Sequence, residues 1–146
     1  MNNEKKAPVL TLEHIAPYLP YGIRVKVGKT ERNLTAVSLD STFVFVSAWK
    51  GSREKEMVSI EEIKPILRPL SDLTKVIEHN GERFVPVVNL GWNSYDHILK
   101  SGTCINISYE YMVKLFKWHF DVFGLIEKGL AIDINSIEGK ETKENG

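Results

Sequence analysis

An α+β fold is what this sequence predicts, on three observations. The first half of the chain holds short runs of alternating or β-branched residues separated by turn residues. Residues 108–134 (SYEYMVKLFKWHFDVFGLIEKGLAIDI) carry the densest aromatic content and a helical period. Isolated Ser and Thr residues stand where short helices would need caps. The 146 residues are expected to form one domain, 1–146, with polar ends at 1–10 and 138–146 expected to be flexible.

In chain order, Thr11 caps a helix running to Leu19, bent or shortened by Pro17 and ended by Pro20 and Gly22. Ile23, Val25 and Val27 alternate with Arg24 and Lys26, the period of a half-buried strand. Residues 28–33 (GKTERN) read as a loop. Residues 34–39 and 43–48 read as strands joined at Asp40-Ser41. Residues 50–56 form a charged loop, and Met57 to Ser59 a short fourth strand. Strands this short, with turns this tight, suggest a small curled antiparallel sheet of the SH3-like barrel kind.

Ser59 and Glu62 form a capping box, so a helical turn starts there and stops before Pro65. Residues 66–70 read as a stiff connection, and Ser71 caps a helix over 72–78. Asn80-Gly81 is a turn. Residues 83–90 (RFVPVVNL) read as an edge strand, because Pro86 cannot donate to a ladder. A short helix is expected around 95–99 and a strand at 103–107. Ser108 then caps the main helix. Met112, Leu115, Phe116, His119 and Phe120 share one face, Gly124 ends it, and 130–134 is a strand end. The N-terminal helix leads into the sheet, and the C-terminal helices pack on it.

Composition narrows the function classes. Nineteen basic and nineteen acidic side chains cancel, which speaks against a strongly electrostatic binder of nucleic acid or membrane. The single cysteine, Cys104, excludes an internal disulfide, and 1–10 has no apolar core of a signal peptide. The expectation is a cytoplasmic protein without a membrane span.

Three strings carry a resemblance: LTLEHIAPYLPYG at 10–22, EIKPILRPLSDLTK at 62–75 and WHFDVFGLIEKGLAIDIN at 118–135. Together they resemble a group of small uncharacterised proteins encoded in phages, prophages and mobile elements of gut bacteria. That group has no assigned function. The resemblance implies a mobile-element origin and brings no site residues with it.

No catalytic or ligand motif stands out. His14, His79, His97 and His119 show no metal-ligand spacing, and His119 on an aromatic face reads as a structural imidazole. Cys104 reads as a small buried hydrophobe. Nothing in the sequence pairs Asp72, Asp96, Asp121 or Asp133 as acid and base. No phosphate-loop glycine pattern exists. No catalysis, cofactor or metal is expected.

Two binding readings remain. Trp92, Tyr95 and Trp49 are the aromatic residues best placed for a protein partner or for self-association, because they combine apolar area with a polar tip. Alternatively, residues 21–56 hold seven basic against four acidic side chains. A sheet face with Arg24, Lys26 and Arg53, beside Trp49, would then contact phosphates and stack a base. From 121 to 146, six acids face three lysines, which makes the charge distribution dipolar.

Overall fold

The computed structural model describes residues 8–40, 42–90, 96 and 107–137. The chain opens with helix α1 (Leu12–Ile15). Its N-cap is Thr11, whose backbone N–H donates to the His14 ring at 3.1 Å. A 3-10 helix, Ala16–Tyr21, continues from it, so the expected single helix to Leu19 changes type where Pro17 removes a donor. Gly22 ends it in the left-handed region at φ 68°.

Five strands follow: β1 (Arg24–Val27), β2 (Thr30–Val37), β3 (Phe43–Ser47), β4 (Lys55–Ser59) and β5 (Ile63–Leu67). The first four form consecutive antiparallel hairpins, and β5 returns to pair with β1. Residues 30–33 are not the expected loop. Gly28, at φ 62°, tightens the turn to two residues and lets β2 start at Thr30. Between β4 and β5 the Ser59 hydroxyl caps a 3-10 turn, Ile60–Glu62, as expected.

Ile66 and Leu67, expected to begin a stiff connection over 66–70, instead end the strand Ile63–Leu67. Pro65 stands opposite Val25 of β1, and pairing on the other side begins only at Ile66. There β8 (Ile132–Asp133) adds in parallel. The resulting order is β4-β3-β2-β1-β5-β8, a six-stranded, mostly antiparallel sheet. It is open: β4 and β8 are its edges, and no ladder closes it into the expected barrel among the described residues.

The second half departs further from local pattern. Leu70–Thr74 is a 3-10 helix with Pro69 at its N-cap, and the expected helix over 72–78 gives way to a strand. β6 (Ile77–His79) and β7 (Glu82–Phe84) form a hairpin around Asn80-Gly81, both at positive φ. Residues 86–90 are helix α2 (Pro86–Leu90), not an edge strand. Pro86 occupies the first helical position, where a missing N–H costs nothing. Helix α3 (Tyr109–Lys117) starts at Ser108, whose hydroxyl accepts from Tyr111 N–H at 3.2 Å.

α3 stops earlier than its periodicity suggests. His119 takes φ 63°, and Phe120 leaves the helix to bridge with Arg68. The expected helix around 95–99 and the strand at 103–107 lie outside the described residues, except Asp96, which is helical, and Ile107. No helix among the described residues is long and apolar enough to cross a membrane.

Two buried clusters share the interior. One, from Leu10 to Ala131, fills the inner face of the sheet with Ile15, Tyr18, Val25, Val44, Val46 and Leu125. The other joins Leu73, Ile77, Leu90, Leu115, Trp118 and Phe120 beneath the hairpin. Tyr18 ties them. Its ring meets Phe116 edge-on at 5.0 Å. Its hydroxyl donates to the Phe120 carbonyl and accepts from Val122 N–H at 3.2 Å. Tyr18→Phe should therefore cost about 1 kcal/mol, since the two hydroxyl bonds are lost while Val122 N–H still donates to Phe120 O at 2.9 Å. Urea unfolding would measure this, and an unchanged midpoint would contradict that role.

Candidate functional site

Arg68, His79 and His119 come together, and their contacts hold the fold. Arg68 is buried and donates to two carbonyls, Trp118 O at 3.1 Å and Glu78 O at 2.7 Å. His79 and His119 meet edge-to-face, with ring centroids 4.9 Å apart. The His119 Nε2–H donates to Tyr21 O at 2.8 Å. Burial, opposed by the bond to Tyr21 O and helped by His79 and then by the Arg68 charge, holds the His119 pKa down at about 4. Burial and, after it, the Arg68 charge lower that of His79. Both imidazoles are neutral at neutral pH, and His119 is the structural residue its sequence context suggested.

The aspartates do comparable work. Both Asp121 carboxylate oxygens accept backbone N–H groups, from Leu125 at 2.7 Å and Ile126 at 3.0 Å. Asp72 Oδ2 accepts from Asn135 Nδ2 at 2.9 Å. Its Oδ1 has only the Lys75 ammonium nearby, at 3.4 Å and outside hydrogen-bond geometry. Asp133 Oδ1 accepts from Asn135 N–H, so Asp72 and Asp133 flank one asparagine. Asp96 is exposed. Among the described residues no three His, Cys, Asp or Glu side chains are grouped to hold a metal ion.

These bonds connect the three strings quoted above. Tyr18 and Tyr21 come from the first, Arg68 and Asp72 from the second, and Trp118, His119, Phe120, Asp121 and Asn135 from the third. The strings are distant in sequence and contiguous in space, as a shared scaffold. Compared with family models, with curated proteins and with solved structures, the chain matches none.

A cleft of about 240 Å³ opens beside this scaffold, lined by Glu82, Arg83, Phe84, Asn89, Lys117 and Trp118. Its charges are of both signs, and Phe84 and Trp118 pack at 4.9 Å on one side of it. It gathers none of the histidines or aspartates.

The sheet offers a different kind of surface. Val44, Val46 and Val58 point into the core, so alternation turns Phe43, Phe45 and Met57 outward. Ala36, Phe45 and Met57 stand directly opposite one another across β2, β3 and β4. Phe43, across from Ser59, is diagonal to Met57 and extends the row. Phe43 is 42% exposed, Met57 56% and Trp49, in the connection after β3, 57%. Trp49 is thus where a partner could reach it; Trp92 and Tyr95 lie outside the described residues, as do His97 and Cys104. Phe43 and Met57 were not singled out from sequence. The available signal was FVFV, apolar on both faces of one strand.

The basic side chains are partly neutralised within the sheet. Arg24 pairs with Glu31 at 2.9 Å, Lys50 lies 3.7 Å from the same carboxylate, and Arg32 pairs with Glu56 at 2.7 Å. Lys26 stands between Glu31 on β2 and Lys64 on β5. Arg53 is exposed in the β3–β4 connection.

Proposed function

We propose that this chain is a non-catalytic binding protein of a phage or mobile element that works in the cytoplasm by docking a protein, a partner or a second copy of itself. The docking face is the outward side of β2, β3 and β4. One observation carries this reading: the row Ala36–Phe45–Met57, continued by Phe43, leaves large apolar side chains in water beside an open sheet edge. Trp49 borders it and adds an aromatic anchor. The strand order β5-β1-β2-β3-β4, with a 3-10 turn before β5, supports a small-barrel reading of this half. The resemblance of the three strings supports the mobile-element origin.

A photoreactive residue at position 43 tests this in producing cells. The expected result is one discrete protein adduct, identified by mass and lost in Met57→Lys. Absence of any protein adduct would overturn the reading.

A second reading, nucleic-acid binding through residues 21–56, retains one specific observation. Lys26 and Lys64 stand side by side on β1 and β5, where like charges attract a polyanion. Here labelled oligonucleotides should bind in a salt-dependent way, more weakly after charge reversal at Arg24, Lys26 and Arg53. The Arg24–Glu31 pair is why this reading ranks second.

A further inference from the structure

We propose that a second copy of this chain occupies the open edge of β4, pairing antiparallel about a two-fold axis at Met57. This rests on the docking-face reading and names its occupant.

The backbone sets the phase. Ile60 N–H donates to Thr42 O, and Ala48 N–H to Glu54 O. In an antiparallel ladder the bonded pairs alternate, so Val58 and Glu56 bond to β3. Lys55, Met57 and Ser59 turn their N–H and C=O groups to the open side. The opposite edge of the sheet, β8, is only two residues long. β4 is the edge with a row of free groups, a template for another strand.

Charge selects both the occupant and the register. The segment running through β4 is basic before its centre, at Arg53 and Lys55, and acidic after it, at Glu61 and Glu62. An antiparallel copy therefore brings each basic end against an acidic end, twice. Outward-facing residues stand opposite one another whenever the axis passes through a residue of β4, and the three registers with most overlap are centred on Glu56, Met57 and Val58. Centred on Val58, only Met57 to Ser59 of each copy overlap; centred on Glu56, the overlap is as short and two Glu56 side chains oppose each other. Like charges directly opposite destabilise a ladder. Centred on Met57, the whole of β4 overlaps: Lys55 faces Ser59 and Glu56 faces Val58, with no like-charge pair, and the Arg53 that precedes the strand lies at the end where Glu61 follows the other copy's strand. The two Met57 side chains then meet at the axis, flanked by Phe43 and Phe45 of each copy. The joined sheets would make one apolar strip of the two exposed ones. A dyad of this kind is a closed, self-complementary interface.

Light scattering coupled to size exclusion tests this on the full chain over a range of loading concentrations. The expected mass is twice 16.6 kDa. Met57→Pro removes an N–H that faces the open side and leaves the β3–β4 bonds in place, so a folded monomer is expected. Should that variant fail to fold, charge exchange decides. Arg53→Glu alone and Glu61→Arg alone should each weaken the dimer about tenfold, a 1.4 kcal/mol change. The double variant R53E/E61R should restore it. A monomeric wild type, or a dimer indifferent to these changes, would overturn the proposal. If the wild type is monomeric yet position 43 still yields an adduct with another protein, only the self-pairing falls. If neither appears, the docking face falls with it.

Discussion

Phe120→Ala is expected to destabilise the protein by about 3–5 kcal/mol, the range for removing a fully buried aromatic ring. The side chain is 0% exposed and packs in the cluster beneath the hairpin. Around it the backbone is fully engaged: Phe120 N–H donates to Leu115 O at 2.9 Å, and its carbonyl accepts from Tyr18. Alanine keeps those backbone bonds, so the loss reports the ring alone. Phe120→Leu should lose less, because most of the volume remains. Total stabilities of small domains are about 5–15 kcal/mol, so the alanine variant should unfold at a much lower urea concentration. A loss below about 1 kcal/mol would mean that the ring is not the link between the helices and the strand end at Arg68.

The second large effect is on acid stability. The His119 pKa is about 4 in the folded protein, against about 6.5 in an unfolded chain. Between those values the unfolded state binds the extra proton, so stability rises with pH. Above pH ~6.5 the stabilisation is complete, and it is lost as pH falls towards about 4, amounting to roughly 3 kcal/mol. His79, whose pKa is also lowered by burial, adds in the same direction. Arg68 and Arg24 add to the opposition to a second positive charge there. His119→Asn suits the left-handed backbone and cannot be protonated; its shorter amide does not reach Tyr21 O as Nε2 does, so the comparison is of slopes with pH and not of absolute stability. Urea midpoints measured between about pH 7 and pH 5 should fall steeply for the wild type and more gently for the variant. Equal slopes would remove His119 as the cause.

Some of the architecture was legible from neighbouring residues. Ser108 starts α3 because its hydroxyl and the Tyr111 amide are three residues apart. Asn80-Gly81 turns the hairpin because both residues tolerate positive φ. Ser59 caps its 3-10 turn for the same kind of local reason. The alternation from Ile23 to Val27 emerged as a strand; the strands read at 34–39 and 43–48 emerged with other ends, as Thr30–Val37 and Phe43–Ser47. Where the reading failed, a distant partner intervened. Phe120 continues the helical period of α3 but leaves the helix, because Arg68 N–H donates to His119 O on one side of it and Arg68 O accepts from Asp121 N–H on the other. Ile77 and Val87 suit either helix or strand by composition. The hairpin and Pro86 settled each one differently from expectation.

The candidate face was half legible. Trp49 stood out as an exposed aromatic, whereas Phe43 and Met57 looked like ordinary strand residues. Whether a phenylalanine in a strand faces core or water depends on what covers each side of the sheet. Helix α1, the following 3-10 turn and Leu125 belong to the core on the inner side, and nothing described covers Phe43 and Met57 on the other.

Caps, turns and strand periodicity thus belong to the sequence alone, because each is an interaction between residues a few positions apart. The β5–β8 pairing, the Tyr18–Phe120 link, the neutral His79–His119 pair and the exposed row on β3 and β4 belong to the tertiary structure. Each depends on segments tens of residues apart, whose meeting is set by the burial of the whole chain and not by any local preference.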